Sequence, residues 1–332
     1  MRFITLMILV PLLFLRICLG GEVVVYTSED KVFSEPVLQQ FEKKTGIKVR
    51  AIYDTEETKS TGLVNRLIAE KDNPRADVFW SGDPVRPALL EFKGLVSPYF
   101  SSAAADIPKM YKDKDGHWTG FSARARVILY NTNLVNFDER PQSIFDLTKP
   151  VWRGQVAIAN PLFGTTSIHM AALFITLGDE KARKFLQELK ANGVKIVSSN
   201  GEVKRLVARG EVKVGITDTD DANVAIKEGC PVKVIFPDQS EMGTLIMPNV
   251  VCLIKNSPNQ ENGKKLIDYL LSAEVEKSLA WAACAQMPLR YDVRTPADVL
   301  TIDAVKGMNV NYRDVAKKLE EISEFLKQWA GY

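Results

Sequence analysis

The chain has 332 residues, 46% hydrophobic and 25% charged, with 43 basic and 41 acidic side chains. That length holds two domains with separate cores, and so even a charge balance gives no pull toward nucleic acid or an anionic membrane surface. Four cysteines are too few for a disulfide scaffold, and no pair has zinc-finger spacing.

Residues 1–20, MRFITLMILVPLLFLRICLG, place Arg2 ahead of an apolar run from Phe3 to Leu15. The run is shorter than the ~20 residues of a spanning helix. Cys18 and Gly20 put small residues where a cut after Gly20 needs them, so 1–20 reads as a secretory signal peptide. Lipid anchoring at Cys18 is not expected, because Arg16 and Ile17 suit that recognition box poorly. The expected location is a bacterial periplasm. Of the remaining cysteines, Cys230, Cys252 and Cys284, at most one pair can bond within a chain, and most are expected as small buried hydrophobes.

The mature N-terminus alternates strand and helix. EVVVY (22–26) is a buried-type strand. A helix follows in EPVLQQFEKKTG, with Ser34 as N-cap, Pro36 in the first turn and Gly46 as the stop. IKVRAIY (47–53) is a strand, TGLVNRLIAEKDNP an amphipathic helix, ADVFW (76–80) a third strand and SGDPVRPALLEFKG a helix ending at Gly94. Single helices between strands predict a parallel, doubly wound sheet.

At RVILYNTNL (126–134) the chain leaves this unit for a second α/β series, which runs from QVAIAN to VKVIFP. LIMPNVVCLIK (245–255) is a β-rich return, and the rest is mostly helical. The fold class is therefore α/β, two doubly wound lobes joined by a two-segment hinge, with a mostly helical C-terminal region. Residues 21–125 and 250–332 form the expected first lobe and 126–249 the second.

Ligands in open α/β sheets sit beyond the carboxyl ends of the strands and in clefts between lobes. That selects four loops: Thr27–Asp30, Ser81–Asp83, Phe163–Ser167 and Thr217–Asp221. In the first, Thr27 and Ser28 can hydrogen-bond a solute. In the second, Ser81 and Asp83 are candidates, although Asp83 before Pro84 also reads as a helix cap. FGTTSIHMAALF opens a helix whose first amides and dipole favour an anion, so Thr165, Thr166 and Ser167 are candidates, with capping by Thr165 as the alternative.

Asp218, Asp220 and Asp221 crowd one strand-to-helix step. Acids there gain from the helix dipole but repel each other, so a cationic or hydroxyl-rich solute is expected to relieve them. Arg124 and Arg126 alternate on one strand face; Arg126 can reach an anion or sit in an ion pair. His117 and His169 read as structural, and Trp80 as either cleft or core.

In order, VVVYTSEDKV, FEKKTGIKVR, RADVFWSGDP, RARVILYNTNL, VWRGQVAIANP and SSNGEVKRLVARGEVKVGITDTDDANVAIKEG resemble the periplasmic solute-binding proteins of ABC importers. The likeness is to the branch that holds ferric-iron, sugar-phosphate, thiamine and aminophosphonate binders. It implies a type II periplasmic binding fold, hinge closure, no cofactor, no enzymatic activity, an inner-membrane permease as partner and a monomeric receptor. Iron-binding members use a histidine after the first strand, a carboxylate after the third and two adjacent tyrosines. Here Asp30, Gly82 beside Asp83, and Asp220-Asp221 stand in those places, so the family's metal site is not carried over. The anion half is better kept: Thr165, Thr166 and Ser167 hold the helix opening, Asn200 matches one family asparagine and Asp218 stands where another belongs.

The expected ligand is a small anionic or zwitterionic solute, phosphonate-like or sugar-phosphate-like, held between amide dipoles at one pole and acids at the other. A ferric or other metal or metal-chelate receptor, with Asp220 and Asp221 as ligands, is the alternative. A more remote one is a magnesium-dependent phosphohydrolase, because VGITDTDDA resembles a strand-D-x-D signature with Asp218 as nucleophile and Asp220 as acid/base.

Overall fold

A computed structural model describes residues 21–54 and 61–332. The signal-peptide reading of 1–20 lies outside the described residues. No helix among those described is long and apolar enough to cross a membrane.

The first half runs β1 (Glu22–Thr27), α1 (Lys31–Thr45), β2 (Lys48–Tyr53), α2 (Thr61–Ala69), β3 (Val78–Ser81), α3 (Val85–Phe92), β4 (Val96–Ser97) and the long β5 (Thr119–Asn131). The second runs β6 (Val156–Ala159), α4 (Gly164–Leu177), α5 (Asp179–Ala191), β7 (Lys195–Val197), α6 (Asn200–Ala208), β8 (Val214–Asp218), α7 (Thr219–Lys227) and β9 (Val232–Ile235). The chain returns through β10 (Ile246–Ile254) and ends in α8 (Gln260–Leu270), α9 (Ala273–Trp281) and α10 (Tyr312–Ala330).

The strands form one hydrogen-bonded path, β2-β1-β3-β10-β5-β8-β6-β7, with β4 on β10 and β9 on β5. β1, β2 and β3 are parallel, as are β6, β7 and β8, whereas β10 and β5 insert antiparallel between the two groups. The expectation of a purely parallel first sheet is corrected on this point: the connecting segments are themselves strands. β5 pairs with β10 as far as Ala125 and with β8 from Arg126. Its thirteen residues are all buried, because it is covered on both faces by two different cores.

One core gathers Val23, Val25, Phe79, Phe121, Val250 and Leu266; the other gathers Ile128, Ile158, Ile168, Leu173, Ile216 and Leu326. Trp80 belongs to the first, fully buried and 5.5 Å from Phe121. The two cores are the two faces of the sheet and each draws on both halves of the chain: Val127 and Leu129 of β5, with Val203 and Ala222, join the first, and Ile128 and Tyr130, with Val85 and Ala88, join the second. The two lobes are inferred from the pairing, in which β5 turns from β10 to β8. β10 pairs wholly with β3, β4 and the first part of β5, so the return precedes Ile246 rather than falling at 249/250. α10, expected with the first lobe, packs on α3 of that lobe and on α4 of the second; its Val315, Ile322, Leu326 and Trp329 join the second core, and Trp329 Nε1 donates to Leu186 O at 2.8 Å. Its apolar face has the 3.6-residue period that buries a surface helix.

Two further expectations shift. α1 starts at Lys31, so Ser34 is no cap: its hydroxyl donates to Asp30 O at 3.0 Å from inside the helix, and Pro36 lies beyond the first turn. Cys252 and Cys284 are buried and Cys230 half-buried, all as free thiols; burial pushes the Cys252 thiol well up and keeps it unreactive.

Gly215 in β8 lets α6 pack onto the sheet and so sets where Asn200 begins its helix. A Cβ there would collide with Val203 and lie 3.1 Å from Ala157 O. Gly215→Ala is expected to cost about 1–3 kcal/mol by overpacking, seen as a lower urea midpoint with an unchanged denaturant slope.

Candidate functional site

Four strand ends and the helix openings behind them meet around a cavity of about 240 Å³. That is just under the ~300–1,000 Å³ of typical drug-sized ligand pockets, so the cavity suits a small solute. The first lobe brings Ser28, Asp30, Gly82, Asp83 and Arg124 to it. The second brings Asn160, Gly164, Thr165, Thr166, Asn200 and the acids Asp218, Asp220 and Asp221.

α4 opens onto this space with no side-chain cap; its N-cap position is Phe163. The amides of Gly164, Thr165 and Thr166 have no partner within the helix, and all three residues line the cavity. Gly164 has a φ of 53°, a left-handed backbone that glycine adopts without strain. The alternative reading, capping by Thr165, does not hold: its hydroxyl donates to Asp218 Oδ2 at 2.6 Å.

Across the cavity, Asp83 caps α3. Its Oδ1 accepts from the amides of Val85 at 2.9 Å and Arg86 at 3.0 Å. Its Oδ2 has no hydrogen-bond partner among the described residues, although the side chain is 1% exposed. A carboxylate oxygen sealed in this way lacks a donor that water would supply.

The acidic step does not behave as expected. Asp218 Oδ1 pairs with Arg126 Nη1 at 2.7 Å, and Asp220 Oδ2 with Arg124 Nη1 at 2.9 Å. Two of the three acids are thus relieved by arginines of the hinge strand rather than by a solute. Asp218 does not cap α7 with its side chain either; Asp220 Oδ1 accepts from the Asp221 amide at 3.0 Å. Acids and amide dipoles stand on the same lobe, which corrects the picture of two opposed poles.

Arg126 is fully buried beneath the cavity and does not line it. Its Nη1 also donates to Thr165 Oγ1 at 3.1 Å and Asn200 Oδ1 at 3.0 Å, and its Nη2 to Thr166 Oγ1 at 3.2 Å. The ion-pair reading of this residue holds, and it sets the rotamers of side chains that do line the cavity. Arg124 lies between lobes, paired with Glu29 of the first and Asp220 of the second. Burial alone would lower its pKa, but Asp220, Glu29, Asp218 and Asp30 outweigh that and hold it well above its ordinary value.

Of the other candidates, Ser28, Asp83, Thr165, Thr166 and Asn200 line the cavity and Thr27, Ser81 and Ser167 do not. Thr27 Oγ1 accepts from the Glu29 amide, and Ser81 Oγ from the Asp83 amide. Ser167 donates to Gly164 O and accepts from Arg86 Nη2 at 3.1 Å, a contact between the lobes. Sequence reasoning missed Asn160 and Arg205, which line the cavity, and Glu29 and Arg86, which hold Arg124 and Ser167 from outside it. Glu29 lies inside a selected loop; the other three lie outside those loops, and only the fold shows what they reach. His169 is buried under Arg126; burial and then that charge push its pKa down to about 3, so it is a neutral core residue.

Residues 73–307 match the bacterial extracellular solute-binding protein family, and this chain belongs to it. It is 32% identical to a Salmonella paratyphi A periplasmic protein provisionally assigned 2-aminoethylphosphonate binding, over 86% of this chain and 85% of that one. It is 29% identical to iron uptake protein A1 of Synechocystis, over 82% of this chain and 78% of the relative. Its fold is that of the ferric binding protein of Campylobacter jejuni, with a TM-score of 0.83 at 24% identity over 93% of this chain and 99% of the other. The family is one of binding proteins and not enzymes. The phosphohydrolase reading of Asp218 and Asp220 is set aside on that ground, and both carboxylates are in addition held by arginines.

Removing Arg126 leaves Asp218 buried and unpaired. Arg126→Met is expected to cost about 3–5 kcal/mol of stability in urea unfolding, and adding Asp218→Asn should recover part of it. A ligand-binding defect with stability intact would return Arg126 to the role of ligand contact. Acid adds a second test. His169 is depressed when folded, so its contribution is present above pH ~6.5 and is lost as pH falls toward about 3. His169→Gln should flatten the stability profile below pH ~6.5 relative to the parent.

Proposed function

We propose that this protein is the periplasmic receptor of an ABC importer, closing its two lobes on a small solute that carries an anionic group and an amine or hydroxyls. An aminophosphonate or a sugar phosphate has that chemistry. The observation that carries the reading is the pairing of complementary vacancies across one cavity. Three uncapped amides of α4 ask for an anion, and the buried Asp83 Oδ2 asks for a donor. The identity to a relative provisionally assigned 2-aminoethylphosphonate supports the amine-bearing form. Delivery to a membrane permease follows from the family's class of function.

A metal or metal-chelate receptor is the second reading. Asp218, Asp220 and Asp221 offer oxygens that all lie within 4.8 Å of one another, a hard-cation donor set. Arg126 and Arg124 already engage two of them, which weakens it.

A thermal-shift panel separates the readings. A ligand at 1,000 times its dissociation constant stabilises by about 4.1 kcal/mol. 2-Aminoethylphosphonate or glucose 6-phosphate should raise the melting temperature and ferric citrate should not; the reverse pattern would favour the metal reading. Asp83→Asn should cut affinity while leaving unliganded stability nearly unchanged, because asparagine caps a helix about as well as aspartate. Asp221→Asn should also weaken binding without unfolding the protein.

A further inference from the structure

α3 runs from the cleft to a second cluster. Asp83 caps one end of it, and Glu91 closes the other, roughly 12 Å away by helix rise. At that far end Glu91 meets Asp113 and His117, from the turn before β5, with candidate ligand atoms all within 4.8 Å of one another. His117 Nδ1 is hydrogen-bonded to Asp113 Oδ2 at 3.1 Å, a bond an ion would replace, and lies 3.6 Å from Glu91 Oε1. Ligand atoms 2.0–2.2 Å from a tetrahedral centre lie about 3.3–3.6 Å from one another, so these separations bracket a tetrahedral edge.

A second observation points to a ligand at this cluster. The Glu91 side chain is 8% exposed, and its Oε2 has no hydrogen-bond partner among the described residues. Arg313 from the first turn of α10 serves the cluster in part, 2.5 Å from Glu91 Oε1 and 3.4 Å from Asp113 Oδ1. Two carboxylates thus face one guanidinium and one imidazole. The His117 side chain is 23% exposed, which gives an ion a way in and a water a place to complete its coordination.

We propose that Glu91, Asp113 and His117 form a binding site for a divalent first-row metal ion of the zinc class, separate from the cleft, with Arg313 as its built-in competitor. One imidazole and two carboxylates suit zinc better than calcium or magnesium, which prefer oxygen-only sets. Asp113 Oδ2 also accepts from the amides of Asp115 and His117, which holds the turn in place before any ion arrives. The bound ion ties the end of α3 to the strand that joins the lobes and releases the guanidinium of α10.

The test is zinc titration by calorimetry of the mature chain carrying Asp221→Asn, which weakens the cleft carboxylates as a rival site. One zinc per chain is expected. His117→Ala should weaken it at least about tenfold, the scale on which even outer-shell changes act, and Arg313→Gln should tighten it severalfold. Cobalt(II) in place of zinc should give a visible ligand-field band that His117→Ala removes. Should His117→Ala misfold, His117→Gln takes its place in both readouts. Zinc affinity unchanged by loss of His117 would overturn the site. So would an Arg313→Gln protein that melts lower and binds zinc no better, which would leave an ion-pair network alone.

Discussion

Two arginines two residues apart on the hinge strand set the charge of everything around the cavity. Residues at that spacing share one face of a strand, and here the face turns toward the acids that three different elements bring in. Arg124 takes Glu29 and Asp220; Arg126 takes Asp218. All five side chains are buried. A buried ion pair adds little stability against a well-packed apolar alternative, but once built, neither partner can be lost cheaply. Its return is positional: through Arg126, the side chains of Thr165, Thr166 and Asn200 are fixed before a ligand arrives. Preorganised polar groups spare a ligand the ordering cost of binding.

With the acids neutralised from within, the cavity is mixed in character rather than an anionic cup. The open end of α4 supplies positive dipole with no carboxylate capping it. On the facing lobe, the cap of α3 is a carboxylate with one oxygen used and one left over. This arrangement discriminates by difference. Under the proposed function, a bare anion satisfies only α4 and a bare cation only Asp83, whereas a zwitterion or a phosphorylated polyol answers both. An unpaired buried group also penalises the ligand that fails to meet it.

Much of the fold was legible in the sequence because strand and helix periods were clean and glycines stopped the helices where they should. RVILYNTNL and LIMPNVVCLIK stood out as the crossing segments. Their antiparallel insertion did not, since direction within a sheet depends on partners that no local pattern names. α10 was expected with one lobe and lies against both for the same reason: an amphipathic helix announces that it has an apolar face, not which neighbours will cover it. In the site, the four strand-end loops were found by topology. The errors came from charge. Three aspartates in one step looked in need of a solute because Arg124 and Arg126 lie nearly a hundred residues earlier in the chain. Ser34 looked like a cap because Pro36 follows it, yet Asp30 begins the helix.

Hinge closure in such a molecule depends on contacts that exist in one arrangement of the lobes and not in the other. Some of these involve no ligand. Arg124 spans from Glu29 to Asp220, and Arg86 reaches from α3 to Ser167 on α4. α10 packs on both of those helices and so stitches the same seam from outside. Under the proposed closure, these contacts bias the empty protein and a solute adds its own differential share. α3 takes part in all of it: it presents Asp83 to the cavity, sends Arg86 across to the other lobe and ends at Glu91 against the first turn of α10. One short helix of eight residues therefore contacts the cavity, the other lobe and α10 at once, so a change at any of the three contacts bears on the other two through its backbone.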